Sequence, residues 1–357
     1  MSSAGCRAVD TEVASGAAIL RMMGLGLIVG AAFGYALQRG RFCMNSTFRD
    51  LLLARDLTLL RAYLLAVLVQ MVGVRSMAAF GLFGLGGIAP FFWMATLFGG
   101  FVFGLGMAFS GGCASGSTYR SGEGMVGSII ALLGFVFGMI MTNDGVLEPV
   151  QAALRSWVIE INGQPATLDR LLGVSPWMLA AIFVALGGWW LLKSPSGGYE
   201  RGWGWGRSGL AIGLIATAAW PISALTGREY GLSITEPIRT ISGFLFTGEI
   251  DRLTWGSFMW VGLIAGAHVA ARSHGEFAWR APGARRLLQA LGGGLLMGVG
   301  AAIAGGCNIG HGLTGIPLFG LGSITATVSV ILGVWTGVYF LFGGVAFERR
   351  VQSVQRA

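Results

Sequence analysis

Three cysteines set the first chemical question. Cys113 and Cys307 each close a Gly-Gly-Cys triplet, in "SGGCASGSTYRSGEG" (110–124) and "AGGCNIGHGLTG" (304–315), and Cys43 lies in the polar run "GRFCMNSTFRD" (40–50). Sulfur at such positions can bind a metal, carry redox chemistry or make a soft contact. A metal site needs several ligands at close spacing, and the chain has only three histidines, of which His311 alone stands beside a cysteine. No metal or other cofactor is expected. Redox work needs an activated, accessible thiolate, and nothing adjacent guarantees one. A neutral thiol is a weak S–H donor with a polarisable sulfur, a form that an apolar pore favours. It suits a soft anion that itself carries sulfur. A lone buried cysteine is ordinarily just a small hydrophobe. Two at matching points of two related passages, with a third in a polar segment, carry more weight. Cys6, in the N-terminal tail, has no assigned role.

The residues around the triplets suggest how the thiols are presented. Both segments hold too much glycine and too few apolar residues to face lipid as plain helix, and irregular backbone survives at membrane depth only where protein or water covers it. Each is read as a re-entrant turn leading into a short helix. Gly111, Gly112, Gly305 and Gly306 let the backbone bend and its N–H groups approach a ligand, while a helix N-terminus supplies free donors and a positive dipole end. Asn308 and His311 are the supporting polar side chains. The glycines of "GLGLIVGAAFG" (24–34) and "GLFGLGG" (81–87) fit close helix packing better. Arg41, Arg49 and Arg120 could draw an anion to the mouth of a pathway, although a charge bias between the two membrane faces accounts for them equally. His268, His274 and the tryptophans 189, 190, 203 and 205 read as interfacial residues.

The elements that hold these segments follow from composition. Of 357 residues, 54% are hydrophobic, 11% are charged and 61 are glycine. A soluble domain carries roughly 25% charge and about 7% glycine. So few charges cannot cover a soluble surface, and the apolar content excludes disorder. The chain is an all-α polytopic membrane protein. Nine stretches reach the ~20 apolar residues that a bilayer requires: 16–37, 58–83, 91–110, 124–142, 175–192, 208–226, 255–271, 286–304 and 320–346. The first is not a signal peptide, because its leader carries Asp10 and Glu12 and no cleavage site follows.

With nine spans the termini lie on opposite sides. The N-terminal tail and the loops on its side sum to −4, the other side sums to +10, and Arg21 and Arg75 within spans supply the rest of the net +8. Positive charge marks the cytoplasmic face. The tail 1–15 is therefore expected to be periplasmic and 347–357 cytoplasmic, in the inner (plasma) membrane of a bacterium.

The chain also repeats itself. The two Gly-Gly-Cys passages correspond, and "GRFCMNSTFRD" is echoed by "REYGLSITEPIR" (228–239), which sets Phe42 opposite Tyr230 and Cys43 opposite Gly231. Residues 16–142 and 208–346 then form two four-span repeats, with re-entrant segments near Cys43 and Cys113 and near 228–240 and Cys307. The region 143–207 holds an external loop and one connecting span. That odd span inverts the second repeat, an arrangement typical of transporters with a site near the midplane.

Taken together, the motifs around Cys43, Cys113 and Cys307 resemble the YeeE/YedE family of bacterial inner-membrane proteins, most closely its thiosulfate-transporter branch. The resemblance runs over roughly 16–346 and includes "AWPISALTGREYGLSIT" and "ILGVWTG". It implies an hourglass-shaped inverted-repeat fold and thiosulfate uptake through a narrow centre lined by Cys43, Cys113 and Cys307. It also implies cooperation with a small TusA-like sulfur carrier, here expected as a separate chain. Related branches handle selenium compounds or other sulfur species. Two other readings stay open at this level, a channel for a small inorganic solute and a membrane sulfurtransferase charging Cys113 or Cys307. No Walker A motif is present, so direct ATP drive is not expected.

Overall fold

The computed structural model describes residues 16–85, 88–193 and 202–343. Cys6 and both terminal tails lie outside the described residues. The first half runs α1 (Gly16–Arg39), α2 (Met44–Leu53), α3 (Thr58–Ala79), α4 (Trp93–Ser110), α5 (Ala114–Gly122) and α6 (Val126–Asn143). Then come α7 (Glu148–Arg155), α8 (Leu168–Leu172) and α9 (Pro176–Lys193). The second half runs α10 (Trp205–Ala224), α11 (Thr235–Thr247), α12 (Trp255–Ser273), α13 (Ala284–Ala304) and α14 (Leu321–Leu341).

Each of the nine expected spans coincides with one helix of 18 residues or more. Seven helical stretches are long and apolar enough by themselves to cross a membrane. Two of those stretches join a span to the short helix after it, Ile19–Leu53 and Trp93–Gly122. α10 and α12, of 20 and 19 residues, do not reach that apolarity alone and are carried by their packing: α12 lies along α1, and α10 along α3. Exposed Phe98, Phe137, Leu186, Val269, Leu288 and Phe340 ring the outside, an apolar belt of a kind that water does not tolerate.

Small residues bring the helices close. A side chain on Gly30 or Gly34 of α1 would run into the backbone of Met259 or Leu263 on α12, and one on Gly262 or Gly266 into Leu27 or Ala31. Small residues four apart on facing helices allow this approach. "GLFGLGG" does not follow suit. α3 ends at Ala79, and Gly81 follows in a loop with φ 75° and nothing within 4 Å of where a Cβ would stand. Four glycines in seven residues cannot hold a helix end against water, so the chain turns at Gly81, and glycines 86 and 87 lie outside the described residues.

The packing pairs exchange in register between halves. α1 packs on α12 as α10 packs on α3; α6 packs on α13 as α14 packs on α4; α4 and α13 pack on each other. The short helices follow the same rule, α2 touching α14 and α11 touching α6. Helix starts, however, correct the sequence echo by three residues. Cys43 is the N-cap of α2 and Ile234 that of α11, so Ile234, and not Gly231, stands where Cys43 does.

The loop 143–174 is folded rather than loose. Strand β1 (Phe91–Phe92) pairs antiparallel with β2 (Val158–Ile161), which pairs with β3 (Gln164–Pro165). Leu168 N–H donates to Phe319 O at 2.9 Å and Leu321 N–H to Ala166 O at 3.0 Å. Ala166 and Thr167 are buried as a result.

Candidate functional site

Each half breaks a long helix at its Gly-Gly-Cys triplet. α4 stops because Gly111 takes a left-handed turn at φ 75°, its N–H returning to Met107 O at 3.1 Å. Glycine bears that conformation without a Cβ clash. The chain turns through Gly112, and extended Cys113 caps α5, its sulfur accepting from Gly116 N–H at 3.2 Å. Ser115 Oγ lies 3.4 Å from the same sulfur. Cys43 Sγ, at the start of α2, is 3.7 Å from Cys113 Sγ. Gly116 makes room for both, since a Cβ there would stand 2.6 Å from Cys43 Sγ and 3.1 Å from Cys113 Sγ.

The second break uses the same backbone with different side chains. α13 stops at Gly305, φ 84°, and Gly306 and Cys307 follow. Instead of a regular short helix, residues Ile309–Gly315 form a wide π-helical turn, followed by a 3₁₀ turn at Ile316–Leu318. Five glycines among the twelve residues 304–315 weaken ordinary helix, and side chains fix the wider coil. Tyr63 Oη donates to Gly312 O at 2.9 Å, Tyr230 Oη to Gly310 O at 3.2 Å and Thr314 Oγ1 to Leu232 O at 2.7 Å. π-turns are commonly found at functional sites.

The structure thus brings Cys43 and Cys113 together and keeps Cys307 in the other half, with no cysteine partner among the described residues. All three are buried thiols, at 0%, 0% and 1% exposure. The glycine before each triplet cysteine faces a polar side chain. A Cβ on Gly112 would be 3.0 Å from Ser117 Oγ, and one on Gly306 would be 3.0 Å from His311 Nε2. His311 Nδ1 meets Ser323 Oγ at 3.3 Å, while its Nε2 is buried without a partner. Both polar atoms of the Asn308 side chain are likewise buried and unpartnered, as is Asn45 Oδ1. Buried polar atoms without partners are costly, and these four belong to three residues that lie within four positions of a cysteine.

Asn45 and Gly116 were not picked out from the sequence. Asn45 follows Cys43 by two residues on the same short helix, which was signal enough. Gly116 stood unremarked in a run of small residues, and only the distance between two remote sulfurs shows its purpose.

A cavity approaches this centre from each side. One, of about 780 Å³, ends on Gly111 and Gly112 and holds Asn45, Arg49, Arg120, Arg280 and Arg286. The other, of about 520 Å³, ends on Gly305, Gly306 and Gly310 and holds Arg155, Arg228, Arg239 and Glu236. The cysteines line neither cavity; Cys113 follows Gly112 of the first lining and Cys307 follows Gly306 of the second. Each broken helix has its free C-terminal carbonyls capped by a glutamine and an arginine. Gln289 Nε2 donates to Phe109 O at 3.0 Å and Arg120 Nη1 to Gly111 O at 3.0 Å. On the other side Gln151 Nε2 donates to Ala302 O at 2.7 Å, and Arg155 to Ala302 O at 2.6 Å and Ile303 O at 3.2 Å.

Arg41 is not at the mouth. It pairs with Glu123 and Glu276, each at 2.8 Å. Burial raises the Glu276 carboxyl, but the Gln38 hydrogen bond and the charges of Arg41 and Arg39 outweigh it and hold the group below its ordinary range. His268 Nδ1 meets Gly122 O at 3.0 Å and His274 Nδ1 meets Ala270 O at 3.0 Å, both helix-end contacts. Lys193 lies over the Trp189 ring and Arg207 over Trp203.

Comparison with known proteins agrees with this architecture. The sulphur transport family model matches residues 39–336. The chain is 36% identical over 336 residues to the thiosulfate transporter TsuA of Escherichia coli strain K12, covering 89% of this chain and 94% of that protein. It is 38% identical over 334 residues to the thiosulfate transporter TsuA of Spirochaeta thermophila, covering 90% and 99%. A more distant likeness, 32% over 119 residues, covers 32% of this chain and 28% of the probable transporter YedE of Salmonella typhimurium. A family match that spans both breaks and all three buried thiols assigns the chain: it belongs to the sulphur transport family.

Proposed function

We propose that this protein imports thiosulfate across the bacterial inner membrane. The observation that carries the reading is the paired buried thiols of Cys43 and Cys113, next in the chain to Gly112 of an arginine-lined cavity, with Cys307 next to Gly306 of a second one. The names of its relatives, which are transporters of thiosulfate, support it and favour transport over sulfur transfer by an enzyme. Thiosulfate is a dianion with an oxygen end and a sulfur end. Arginines in the cavities attract its charge, and neutral thiols receive the sulfur end by weak S–H···S contacts without adding fixed charge. Conduction requires that binding be loose enough to release.

On this reading Cys113 and Cys43 serve the side of the larger cavity and Cys307 the other, with Gly111, Gly112, Gly305 and Gly306 forming the bends. Asn308 and His311 supply the polar atoms left open beside Cys307. The exchange of packing partners supports two inverted repeats, 16–142 and 208–346. The larger cavity opens among loops of the +10 face and the smaller among loops of the −4 face. The larger therefore faces the cytoplasm, with the C-terminus, and the smaller faces the periplasm, with the N-terminus. A separately encoded TusA-like carrier, as the family resemblance implies, would collect sulfur at the larger cavity. The test is growth on thiosulfate of a sulfur-auxotrophic, transport-deficient bacterium, which the chain should restore and an empty vector should not.

A further inference from the structure

Resting on that reading, we propose that Arg41 and Glu123 are positioning residues for the thiol pair: with Glu276 and Gln38 they form a clamp that holds the Cys43 and Cys113 sulfurs in contact. The two cysteines begin separately seated elements. α2, which Cys43 caps, rests on α3 and α14, whereas α5, which Cys113 caps, rests on α12 and α6. Their sulfurs can stay 3.7 Å apart only if those two seats are fixed relative to each other.

The clamp sits where the two elements meet the end of α1. The chain leaves α1 through Arg41 at φ 49°, with Arg41 N–H returning to Gln38 O at 3.2 Å and Phe42 N–H to Leu37 O at 3.0 Å. A residue with a side chain seldom takes that left-handed conformation, and here it turns the chain into Cys43 two residues on. The Arg41 side chain forks. Nη1 donates to Glu123 Oε1 and Nη2 to Glu276 Oε2, each at 2.8 Å. Glu123 is the residue after α5 and is 2% exposed; Glu276 lies in the loop after α12. Gln38 Nε2 donates to the same two carboxylates, at 3.1 and 2.5 Å. Backbone bonds tie the acids together, Ala278 N–H to Glu123 O at 3.2 Å and Arg280 N–H to Gly124 O at 3.0 Å. One guanidinium therefore joins the turn before Cys43 to the far end of the helix that Cys113 begins.

Geometry, more than stability, is what such a pair supplies. Burying charges costs desolvation, and apolar packing would stabilise the fold as well. A planar guanidinium with two committed donors fixes direction as well as distance, which a lysine cannot do. The second half offers a contrast. Arg228, at the turn between α10 and α11, pairs with Glu236 only eight residues on, whereas Arg41 and Glu123 are 82 apart. The half with the long-range clamp is the half with the thiol pair.

The test reads the thiols directly. In the purified full chain, diamide should link Cys43 to Cys113, and Glu123→Gln and Arg41→Gln should each slow the link about tenfold. In proteoliposomes both should lower the maximal rate of thiosulfate uptake and leave the half-saturating concentration nearly unchanged. Arg41→Lys should recover part of each effect. The double variant should fall short of the product of the single effects, because both remove one interaction. Glu249→Gln, which breaks the exposed pair with Arg252, should change neither readout. Glu276→Gln, whose carboxylate is 30% exposed, carries the same test should Glu123→Gln not assemble. Wild-type cross-linking rates in Glu123→Gln or Glu276→Gln, or single effects that simply multiply, would overturn the clamp and leave thiosulfate transport standing. Cross-linking that depends on Glu123 in a chain that carries no thiosulfate would keep the clamp and overturn the transport reading.

Discussion

Cys43 Sγ and Cys113 Sγ lie 3.7 Å apart, although 70 residues separate them in the chain. Two helix starts, of α2 and α5, hold them there, and Gly116 has no side chain to come between them. A disulfide needs the sulfurs at about 2.05 Å, so a small approach would join them. Diamide, which takes two hydrogens from a thiol pair, should therefore link Cys43 to Cys113 and block uptake. Dithiothreitol should restore it. Peptide mapping that finds the link only at Cys307 would contradict the geometry.

The sulfur itself should matter more than polarity. Cys113→Ala and Cys307→Ala should each abolish thiosulfate-dependent growth with normal membrane abundance. Cys43→Ser should recover part of the activity at best, since a hydroxyl keeps a hydrogen bond and loses the polarisable atom. Full growth of the serine variant would show that polarity is enough at that position.

Glycine substitutions separate three roles. Gly116→Ala places a methyl 2.6 Å from Cys43 Sγ, which must push the thiol pair apart, so uptake should fall at least tenfold. Gly112→Ala and Gly306→Ala press on Ser117 and His311 at 3.0 Å, where the side chains can give way, and uptake should fall less steeply. Gly111→Ala and Gly305→Ala meet open space or Arg155 but must hold φ of 75° and 84°, which costs about 1–2 kcal/mol. These two should lower thermal stability first. Wild-type growth and melting in all five would reduce the breaks to ordinary packing.

Much of this arrangement was legible in the sequence, and the parts that were not have a common cause. Apolar length alone located the nine long helices, because a span must be continuous to cross lipid. The Gly-Gly-Cys triplets announced the breaks, because glycine and polar residues cannot continue a lipid-facing helix. Hidden were relations between distant segments. Cys43 meeting Cys113, Arg155 reaching the carbonyls of Ala302 and Ile303, and Ala166 seated against Leu321 depend on tertiary contacts that no local pattern encodes. The echo of Cys43 was misplaced onto Gly231 because letters align where helix starts do not. The π-turn at Ile309–Gly315 was read as a short helix, since glycine content signals irregularity without specifying its width.

The orientation has its own test. A reporter fused after Ala357 should read as cytoplasmic and one inserted within 156–164 as periplasmic, following the −4 against +10 balance of the two faces. The reverse pattern would overturn both the orientation and the assignment of the two cavities.

The most direct measurement is uptake of radiolabelled thiosulfate by proteoliposomes that contain only this chain, compared with liposomes carrying Cys113→Ala. The account predicts uptake that saturates in the wild type and a signal near that of empty liposomes in the variant, with labelled sulfate entering neither. Equal uptake by wild type and Cys113→Ala would contradict it.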